Sequence, residues 1–403
     1  MTNGYSIKLS NVTEKTMRLT KSFLIMSVLL LLAAPTVKAQ GGEAAVPFLL
    51  LAPDARFGAL GESGTGLADN SSGIFWNPAG IAFLTGSEFG FTHSNWLPQF
   101  NLDLFYDYAT YRQYIEDING SVTASITYMD YGEFARTGEE GPTVLGTFNS
   151  FDMAVTVGYA TKLSSDWGIG TNFRLIHSNL ADKPTAEEQG SGKATTVSFD
   201  IAGMWRPTSL VVPFTDYDMG NKLSIGMNLS NLGQKIFYID QAQADPIPTN
   251  LRLGFAYQVF GDDISSLTYT LDFSKLLVNR DSTGKSDEVT RALFTTWSAK
   301  PFNEVMADIV TTMGLEYVYA PTGDFNFAVR GGYFYEDPSR GNRKFITLGA
   351  GIKYDIYGFD FSYISTSVFK DRENHPLSET LRFTVNVGWG GIPDKVKGLP
   401  RGV

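Results

Sequence analysis

Short segments in which apolar and polar side chains alternate recur along most of this 403-residue chain. In residues 381–389 the odd positions are Leu, Phe, Val, Val and Trp, whereas the even positions are Arg, Thr, Asn and Gly. Residues 251–259 and 223–230 alternate in the same way. Successive side chains of a β-strand point to opposite faces. Each segment therefore predicts a strand with one apolar face and one polar or small face.

A soluble β-sandwich also alternates, so three further features are needed to favour a membrane barrel. The segments are about ten residues long, which is enough to cross a bilayer at a tilt. Aromatic residues cluster at their ends, for example at 317–319 and 333–335, as expected for interfacial girdles. The connections also alternate between short and long, as they do in outer-membrane barrels.

These patterns predict an all-β chain that forms a closed antiparallel transmembrane β-barrel of about 14 strands between residues 83 and 390. The predicted strands lie near 84–94, 100–113, 119–131, 149–162, 166–178, 193–206, 221–232, 249–260, 265–277, 310–320, 325–335, 343–354, 357–366 and 379–390. The longer connections, which we expect to be extracellular, are 132–148, 179–192, 233–248, 278–309 and 367–378. Residues 207–220 are an exception, because they form a long connection among the short ones.

The first 39 residues have the pattern of a secretory signal peptide. Arg18 and Lys21 precede the apolar run 23–34, and small or branched residues at Val37 and Ala39 form a cleavage site. The apolar run is too short to span a membrane comfortably. We expect export and an outer-membrane location, with both ends of the barrel and a tail of residues 391–403 in the periplasm.

Composition excludes several classes of function. The formal net charge is −10 and the pI about 4.9, which argues against a nucleic-acid partner. The chain has no cysteine and three histidines, so we expect no disulfide, no metal site and no cofactor. Residues 190–193 resemble part of a phosphate loop, but the first Gly and the final Ser or Thr of that motif are missing. No G-x-S-x-G or H-E-x-x-H motif occurs, and we do not expect an enzyme.

Residues 40–82 precede the first predicted strand and do not alternate. A barrel of this size has a lumen that wall side chains alone cannot fill. We therefore predict that this segment is a plug inside the lumen, where it either braces the barrel or takes part in gating or ligand contact. The candidate lumen residues are Asp54, Arg56, Gly58, Gly61, Trp76, Asn77 and Pro78.

The connection 278–309 is long enough to contain a helix. Val289, Leu293 and Trp297 recur at every fourth position, and Pro301 would end the helix. This stripe either packs the helix on the rim of the barrel or docks a partner.

Several sequence blocks resemble one known family of outer-membrane barrels. The stretch AVPFLLLAPDARFGALGESGTGLAD at 45–69 and WNPAG at 76–80 are similar to the start of mature PorV proteins. Further similar blocks are FRLIHSNLAD at 173–182, NLSNLGQKIFY at 228–238, IPTNLRLGFAY at 247–257 and HPLSETLRFTVNVG at 375–388. Asn-Pro-Ala at 77–79 is shared with the wider FadL-like barrels, whereas the other blocks are more specific to PorV.

The resemblance implies a FadL-like barrel that serves type IX secretion in a Bacteroidetes-type bacterium. Such proteins collect cargo from the giant translocon barrel SprA by binding its C-terminal signal domain. They deliver the cargo to the surface attachment machinery, where the sortase PorU removes the signal. Membrane lipid and lipopolysaccharide would surround the barrel. The candidate cargo-docking residues in the long connections are Phe134, Phe237, Tyr238, Leu293 and Trp297.

Two other functions stay open at the level of sequence. A FadL-like transporter of hydrophobic small molecules would need an apolar pocket in the lumen. An outer-membrane hydrolase would need a nucleophile, and no motif in this sequence supplies one.

Overall fold

Fourteen strands make up most of the structure, a computed structural model that describes residues 44–100, 102–138, 141–181, 192–238, 244–281, 284–366 and 376–391. The predicted signal peptide and the tail beyond residue 391 lie outside these ranges. The strands are β1 (Ser87–Asn95), β2 (Phe105–Ile115), β3 (Gly120–Gly138), β4 (Gly141–Lys162), β5 (Trp167–Asn179), β6 (Lys193–Trp205), β7 (Leu223–Gly233), β8 (Asn250–Gly261), β9 (Ser265–Leu276), β10 (Ile309–Thr322), β11 (Phe325–Tyr335), β12 (Lys344–Tyr354), β13 (Tyr357–Ser365) and β14 (Leu381–Trp389).

The sheet closes on itself. Each strand pairs antiparallel with its neighbours in sequence, and β1 pairs with β14 from Ser87 opposite Trp389 to Ser94 opposite Arg382. Closure leaves no unpaired strand edge, which a bilayer requires because lipid offers no hydrogen bonds to backbone groups. The predicted fold class, a closed antiparallel barrel of 14 strands, is confirmed.

The wall of the barrel is apolar outside and polar inside. In β5, Phe173 and Leu175 are exposed, whereas Asn172 and Arg174 are buried. β14 repeats this order with Val385 outside and Arg382 inside. A soluble protein buries its apolar face instead. The alternation seen in the sequence is therefore that of a wall between lipid and a polar lumen.

The two ends of the barrel differ in the length of their connections. We call one the short-turn end, because its turns span 116–119, 163–166, 262–264, 323–324 and 355–356. The opposite end, the long-loop end, carries the other connections. The exception expected at 207–220 is present, since β6 and β7 are joined at the short-turn end by a hairpin with a bridge between Val211 and Asp218.

One predicted loop differs from the structure. Residues 132–148 were expected to be a loop, but β3 and β4 continue through most of this range, and Phe134 pairs with Phe148. The pairing continues past register shifts that begin after Asp130, and Gly132 adopts a positive φ of 79° there. The expected loop is therefore a bulged continuation of the β3–β4 hairpin beyond the length predicted for the two strands.

The N-terminal segment, residues 44–84, consists of short helical turns. These are a 3-10 turn Pro47–Leu50, α1 (Ala55–Ala59), α2 (Gly73–Trp76) and a 3-10 helix Pro78–Phe83. α1 contacts β11–β14, whereas Pro78–Phe83 contacts β3–β7. A segment can touch opposite sides of a closed ring only from within, so this segment occupies the lumen.

The connection between β9 and β10 contains two helices, α3 (Val289–Ser298) and α4 (Phe302–Ala307). The predicted helix is thus confirmed, and Pro301 lies between the two helices at the start of α4. None of the helices among the described residues is both long and apolar enough to cross a membrane.

Candidate functional site

Asp54 joins the two helices of the N-terminal segment. Its carboxylate accepts a hydrogen bond from the backbone N–H of Phe57 at 3.0 Å, which caps α1. It also accepts one from the indole N–H of Trp76 at 2.7 Å. Asp54 and Trp76 are both fully buried. Two of the predicted lumen residues therefore meet each other and fix α1 against α2.

Arg56 connects the segment to the wall through charge. Its guanidinium lies 2.5 Å from Asp69 in the segment and 2.8 Å from Glu316 on β10. Glu316 in turn lies 2.6 Å from Arg330 on β11, which reaches Asp360 on β13 at 2.7 Å. Opposite charges thus alternate along a buried chain, an arrangement that compensates the cost of removing each charge from water.

A second ion pair joins the segment to the same side of the barrel. Arg382 on β14 lies 3.2 Å from Glu62, which follows α1. The backbone N–H of Ala55 also donates to the hydroxyl of Thr384 at 2.9 Å. We call this half of the lumen wall the β10–β14 side.

The opposite half, the β2–β7 side, holds the segment with amides, apolar side chains and the guanidinium of Arg206, which donates to the carbonyl of Leu67 and lies 4.9 Å from the ring centroid of Phe83. The amide of Asn172 donates to the carbonyl of Ile74 at 2.8 Å, and that of Asn228 donates to the carbonyl of Trp76 at 3.1 Å. Leu49 and Tyr108 belong to one buried apolar cluster that joins the segment to this wall. These hydrogen bonds satisfy backbone carbonyls of α2, so that the helix can be buried against the wall.

Asn77 and Pro78 begin the 3-10 helix on the β2–β7 side. The side-chain oxygen of Asn77 accepts from the N–H of Ala79 at 3.0 Å, and its amide donates to the carbonyls of Thr65 and Gly203 at 3.0 and 3.2 Å. Pro78 lies so close to the wall that a Cβ on Gly170 would be 2.5 Å from its carbonyl carbon. These two residues therefore lock a turn against the strands.

The two predicted glycines of the segment have different surroundings. Gly61 has a φ of +72°, and a Cβ there would lie 2.6 Å from the carbonyl oxygen of Met313 and from the N–H nitrogen of Tyr333. Gly58 lies inside α1, where a Cβ would meet side-chain atoms of Arg382 at 3.1 Å and of Ser362 at 3.3 Å. Only Gly61 is required by both its backbone conformation and its closeness to rigid backbone.

A small cavity lies between the segment and the wall. A cavity of about 10 Å³ lies on the β2–β7 side and is lined by Leu49, Ile74, Phe75, Tyr106, Tyr108, Ser125, Thr127, Thr156 and Arg174. Such a volume accommodates about one water molecule. This cavity does not hold a hydrophobic ligand in the present conformation.

Sequence analysis did not identify the wall residues that bind the segment. Glu316, Arg330 and Asp360 are all buried and inward-facing. The alternation of a strand can identify such residues, because a charged residue on its polar face should point into the lumen. Arg382, between Leu381 and Phe383, is an example. The identity of each partner could not be inferred, because Arg56 and Glu316 are 260 residues apart.

At the long-loop end, α3 and α4 expose large apolar side chains. Ala292 and Thr296 form the buried face of α3, and Leu293 is half-buried. Trp297 is exposed at the edge, with the ammonium of Lys275 at 5.3 Å from its ring centroid. The helices also expose Phe294, Phe302 and Met306, which sequence analysis missed. We call these three residues and Trp297 the aromatic patch. Phe294 is 74 % and Phe302 is 78 % exposed.

Ion pairs fix the two helices to the rim. Asp308, directly after α4, lies 2.8 Å from Lys275 on β9 and 2.6 Å from Arg340 in the β11–β12 connection. Burial would raise the pKa of Asp308, but the hydrogen bond and charge of Lys275 and the nearby cations lower it overall. These ion pairs therefore hold the end of α4 against the rim at neutral pH.

The other predicted docking residues are dispersed around the long-loop end. Phe134 stacks on Phe148 with ring centroids 5.9 Å apart and is exposed. Phe237 is exposed, whereas the hydroxyl of Tyr238 donates to buried Ser178 at 2.9 Å, so Tyr238 packs at the mouth of the lumen. Parts of the predicted docking connections, residues 182–191, 239–243 and 282–283, lie outside the described residues.

In the part of the chain that the structure describes, no group of three or more His, Asp or Glu side chains could hold a metal ion.

Comparison with solved structures finds FadL-like barrels. The chain is similar to the Ralstonia pickettii toluene transporter TbuX, with 12 % identity over 83 % of this chain and 96 % of that chain and a TM-score of 0.42. It is also similar to the P. putida toluene transporter TodX (11 %, 88 % and 99 %, TM-score 0.46) and to a Pseudomonas aeruginosa FadL homologue (11 %, 84 % and 98 %, TM-score 0.45). No curated protein matches the sequence.

Comparison with protein families gives one match, described as "Type IX secretion system protein PorV", over residues 36–283. The predicted family is thereby confirmed. Fold and family are those of an outer-membrane secretion barrel, and the family is not one of enzymes. Because the match covers more than half of the sequence, this chain belongs to the PorV family of type IX secretion system proteins.

Proposed function

We propose that this barrel is a shuttle that binds the C-terminal signal domain of cargo leaving an SprA-type translocon and passes it to the attachment machinery with the PorU sortase. Membership of the PorV family is the observation that carries this proposal. In this proposal residues 1–39 direct export, and the long-loop end of the barrel faces the cell exterior. The short-turn end and both chain termini of the barrel face the periplasm.

The aromatic patch supports binding of a protein partner. Phe294 and Phe302 lie on adjacent helices and are mostly exposed, although large apolar side chains gain free energy when they leave water. Asp308 and its basic partners hold the end of α4 at the rim before any partner arrives. A rigid surface loses little conformational entropy on binding. The patch therefore suits cargo docking.

The small size of the cavity between the segment and the wall favours a shuttle over the alternative, a transporter of hydrophobic small molecules. A drug-sized ligand needs a pocket of roughly 300 Å³ or more, whereas the cavity beside Leu49 measures about 10 Å³. We propose that the N-terminal segment braces the barrel, since it is bonded to both sides of the lumen wall.

The experiment has two parts, of which the first tests the shuttle function. The gene is deleted, and secretion and processing of cargo with a type IX signal domain are measured. We expect cargo to be retained or left unprocessed. Normal export and processing in the deletion strain would contradict the shuttle proposal.

The second part tests the docking surface in purified protein. The double variant Phe294→Ser/Phe302→Ser should bind an isolated signal domain at least about 30-fold more weakly, as expected for loss of hot-spot aromatics. Ile118→Ser serves as the matched control, because Ile118 is an exposed apolar residue at the short-turn end. Equal affinity of all three proteins would assign docking to another surface and leave the shuttle function intact.

A further inference from the structure

The long connection at the short-turn end is an ordered hairpin. The backbone N–H of Val212 donates to the carbonyl of Tyr217 at 2.9 Å, and that of Met219 donates to Leu210 at 2.9 Å. The other connections at this end are turns of two to four residues (323–324 and 116–119 are examples). A connection that only returned the chain to the next strand would not need this hairpin.

The base of the hairpin is fixed by two aspartates. Asp218 accepts hydrogen bonds from the N–H groups of Leu210 and Gly220, each at 2.7 Å. Asp166, in the neighbouring turn, accepts from the N–H of Thr208 at 3.1 Å with its side chain. The hairpin is therefore built to hold a defined position relative to the wall.

The hairpin exposes two apolar side chains at and near its tip. Val211 and Phe214 are both exposed, and Phe214 has no part of its side chain covered. Phe214 also has a φ of +64°, a left-handed conformation that bulky residues rarely adopt and that Gly or Asn would adopt more easily. An exposed phenyl ring held in a strained turn suggests that Phe214 contacts a surface that is not part of this chain.

The contacts of Tyr217 indicate where this surface lies relative to the barrel. Its hydroxyl contacts the hydroxyl of Tyr257, an outward-facing residue of β8, and the ammonium of Lys222 lies 4.8 Å from its ring centroid. This face of the hairpin therefore lies against the outer surface of the wall. The same end of the wall carries a girdle of outward aromatic residues: Trp167, Trp205, Phe260, Tyr319, Tyr354, Tyr357 and Trp389. Such girdles mark the boundary between lipid and water.

We propose that the hairpin 207–221 is a lipid anchor that inserts Val211 and Phe214 into the headgroup and acyl boundary of the bilayer around the barrel. The occupant is phospholipid, because the tip continues the apolar outer wall and its aromatic girdle. An amphipathic element at this boundary gains from apolar burial in the same way as an interfacial helix.

The absence of cysteine from the sequence makes a direct test possible. Phe214→Cys gives a single site for a fluorescent label in the full barrel, reconstituted in phosphatidylcholine–phosphatidylglycerol vesicles. Asp117→Cys, at an exposed turn of the same end, and Asp216→Cys, in the same hairpin, are matched controls. Val211→Cys repeats the test in case the change at Phe214 disturbs folding.

The label at 214 should be quenched by brominated lipid and be at least about threefold less accessible to iodide than the label at 117. Labels at 214 and 211 that iodide quenches as strongly as the label at 117 would overturn the proposal. Protection that develops only after a membrane protein is added would also overturn it, because the hairpin would then be a protein-docking element.

Discussion

The two sides of the lumen hold the same N-terminal segment by different forces. On the β2–β7 side, Leu49 packs against wall tyrosines, and the amides of Asn172 and Asn228 bond backbone carbonyls. On the β10–β14 side, Arg56 and Glu62 form ion pairs with Glu316 and Arg382. The first side also uses one cation, Arg206, but its guanidinium bonds a backbone carbonyl, whereas the second side depends on ion pairs between charged side chains.

This difference predicts on which side a single substitution lowers the stability of the attached segment most. Truncating a buried apolar side chain costs its transfer free energy plus a cavity term, which neighbouring atoms reduce by relaxing in part. A buried ion pair that loses one partner leaves an uncompensated charge, which costs more than the pair contributed. The β10–β14 side should therefore be the more sensitive to substitution, although both sides are buried.

The strongest test of the comparison removes the central cation. Arg56→Met should lower the free energy of unfolding by about 3–5 kcal/mol, because Asp69 and Glu316 lose a buried partner. The measurement is urea unfolding in detergent micelles. Arg291→Met is the matched control, since Arg291 is exposed and its pair with Asp287 should contribute about 0–1 kcal/mol.

A double variant sharpens the interpretation. Arg56→Met/Glu316→Gln removes one charge of each sign, so part of the lost stability should return. A double variant that is as unstable as the sum of both single variants would mean that packing, and not charge, holds this side of the segment.

On the β2–β7 side, Leu49→Ala should cost about 3 kcal/mol, because a methyl-lined space opens beside the existing cavity. The loss should be independent of salt and of pH between 5 and 8, since no titrating group is involved. Urea unfolding at low and high ionic strength checks this. A loss larger than that of Arg56→Met would reverse the proposed order of the two sides.

The closeness of the segment to rigid backbone can be tested at its glycines. Gly61→Ala should cost about 2–3 kcal/mol, because it adds a positive-φ penalty to an overpacked contact with Met313 and Tyr333. Gly58→Ala should change stability by less than about 1 kcal/mol, since better helix propensity offsets contact with the end of the Arg382 side chain rather than with backbone. Equal losses at both positions would show that the approach of the segment to the wall is softer than its geometry indicates.

Strand positions and closure could be predicted because the two faces of the wall meet different solvents. Each strand repeats that contrast along its length, as Leu381 to Trp389 does, so the signal is local. The fixed partners of Arg56 were beyond prediction, because ion pairs between distant residues leave no local period. The aromatic patch was missed for a related reason. The i, i+4 stripe of Val289, Leu293 and Trp297 suggested one face, whereas α3 buries Ala292 and Thr296 and exposes Phe294.

The smallest expected effect concerns Asp287, a carboxylate outside the lumen. Its contribution to stability can be compared with those of the buried carboxylates in the lumen. Asp287 precedes α3 and accepts hydrogen bonds from Asn279 at 2.8 Å and from Thr295 at 2.7 Å. These bonds lower the pKa of Asp287 below its usual value. A carboxyl whose folded pKa is lowered stabilises the fold above its unfolded pKa, near 3.9, and the contribution disappears as pH falls through the folded pKa.

Asp287→Asn should therefore speed hydrogen exchange in residues 289–298 by roughly threefold at pH 7, the size of one weakened hydrogen bond. Comparing wild type and variant at each pH cancels the intrinsic pH dependence of exchange. The difference should stay constant from pH 7 to pH 5, and it should shrink only as pH falls below about 3.9 and then through the lowered pKa of the folded Asp287. A difference that did not shrink down to the lowest pH at which the barrel stays folded would mean that the shape of the side chain, and not its charge, orders the start of α3.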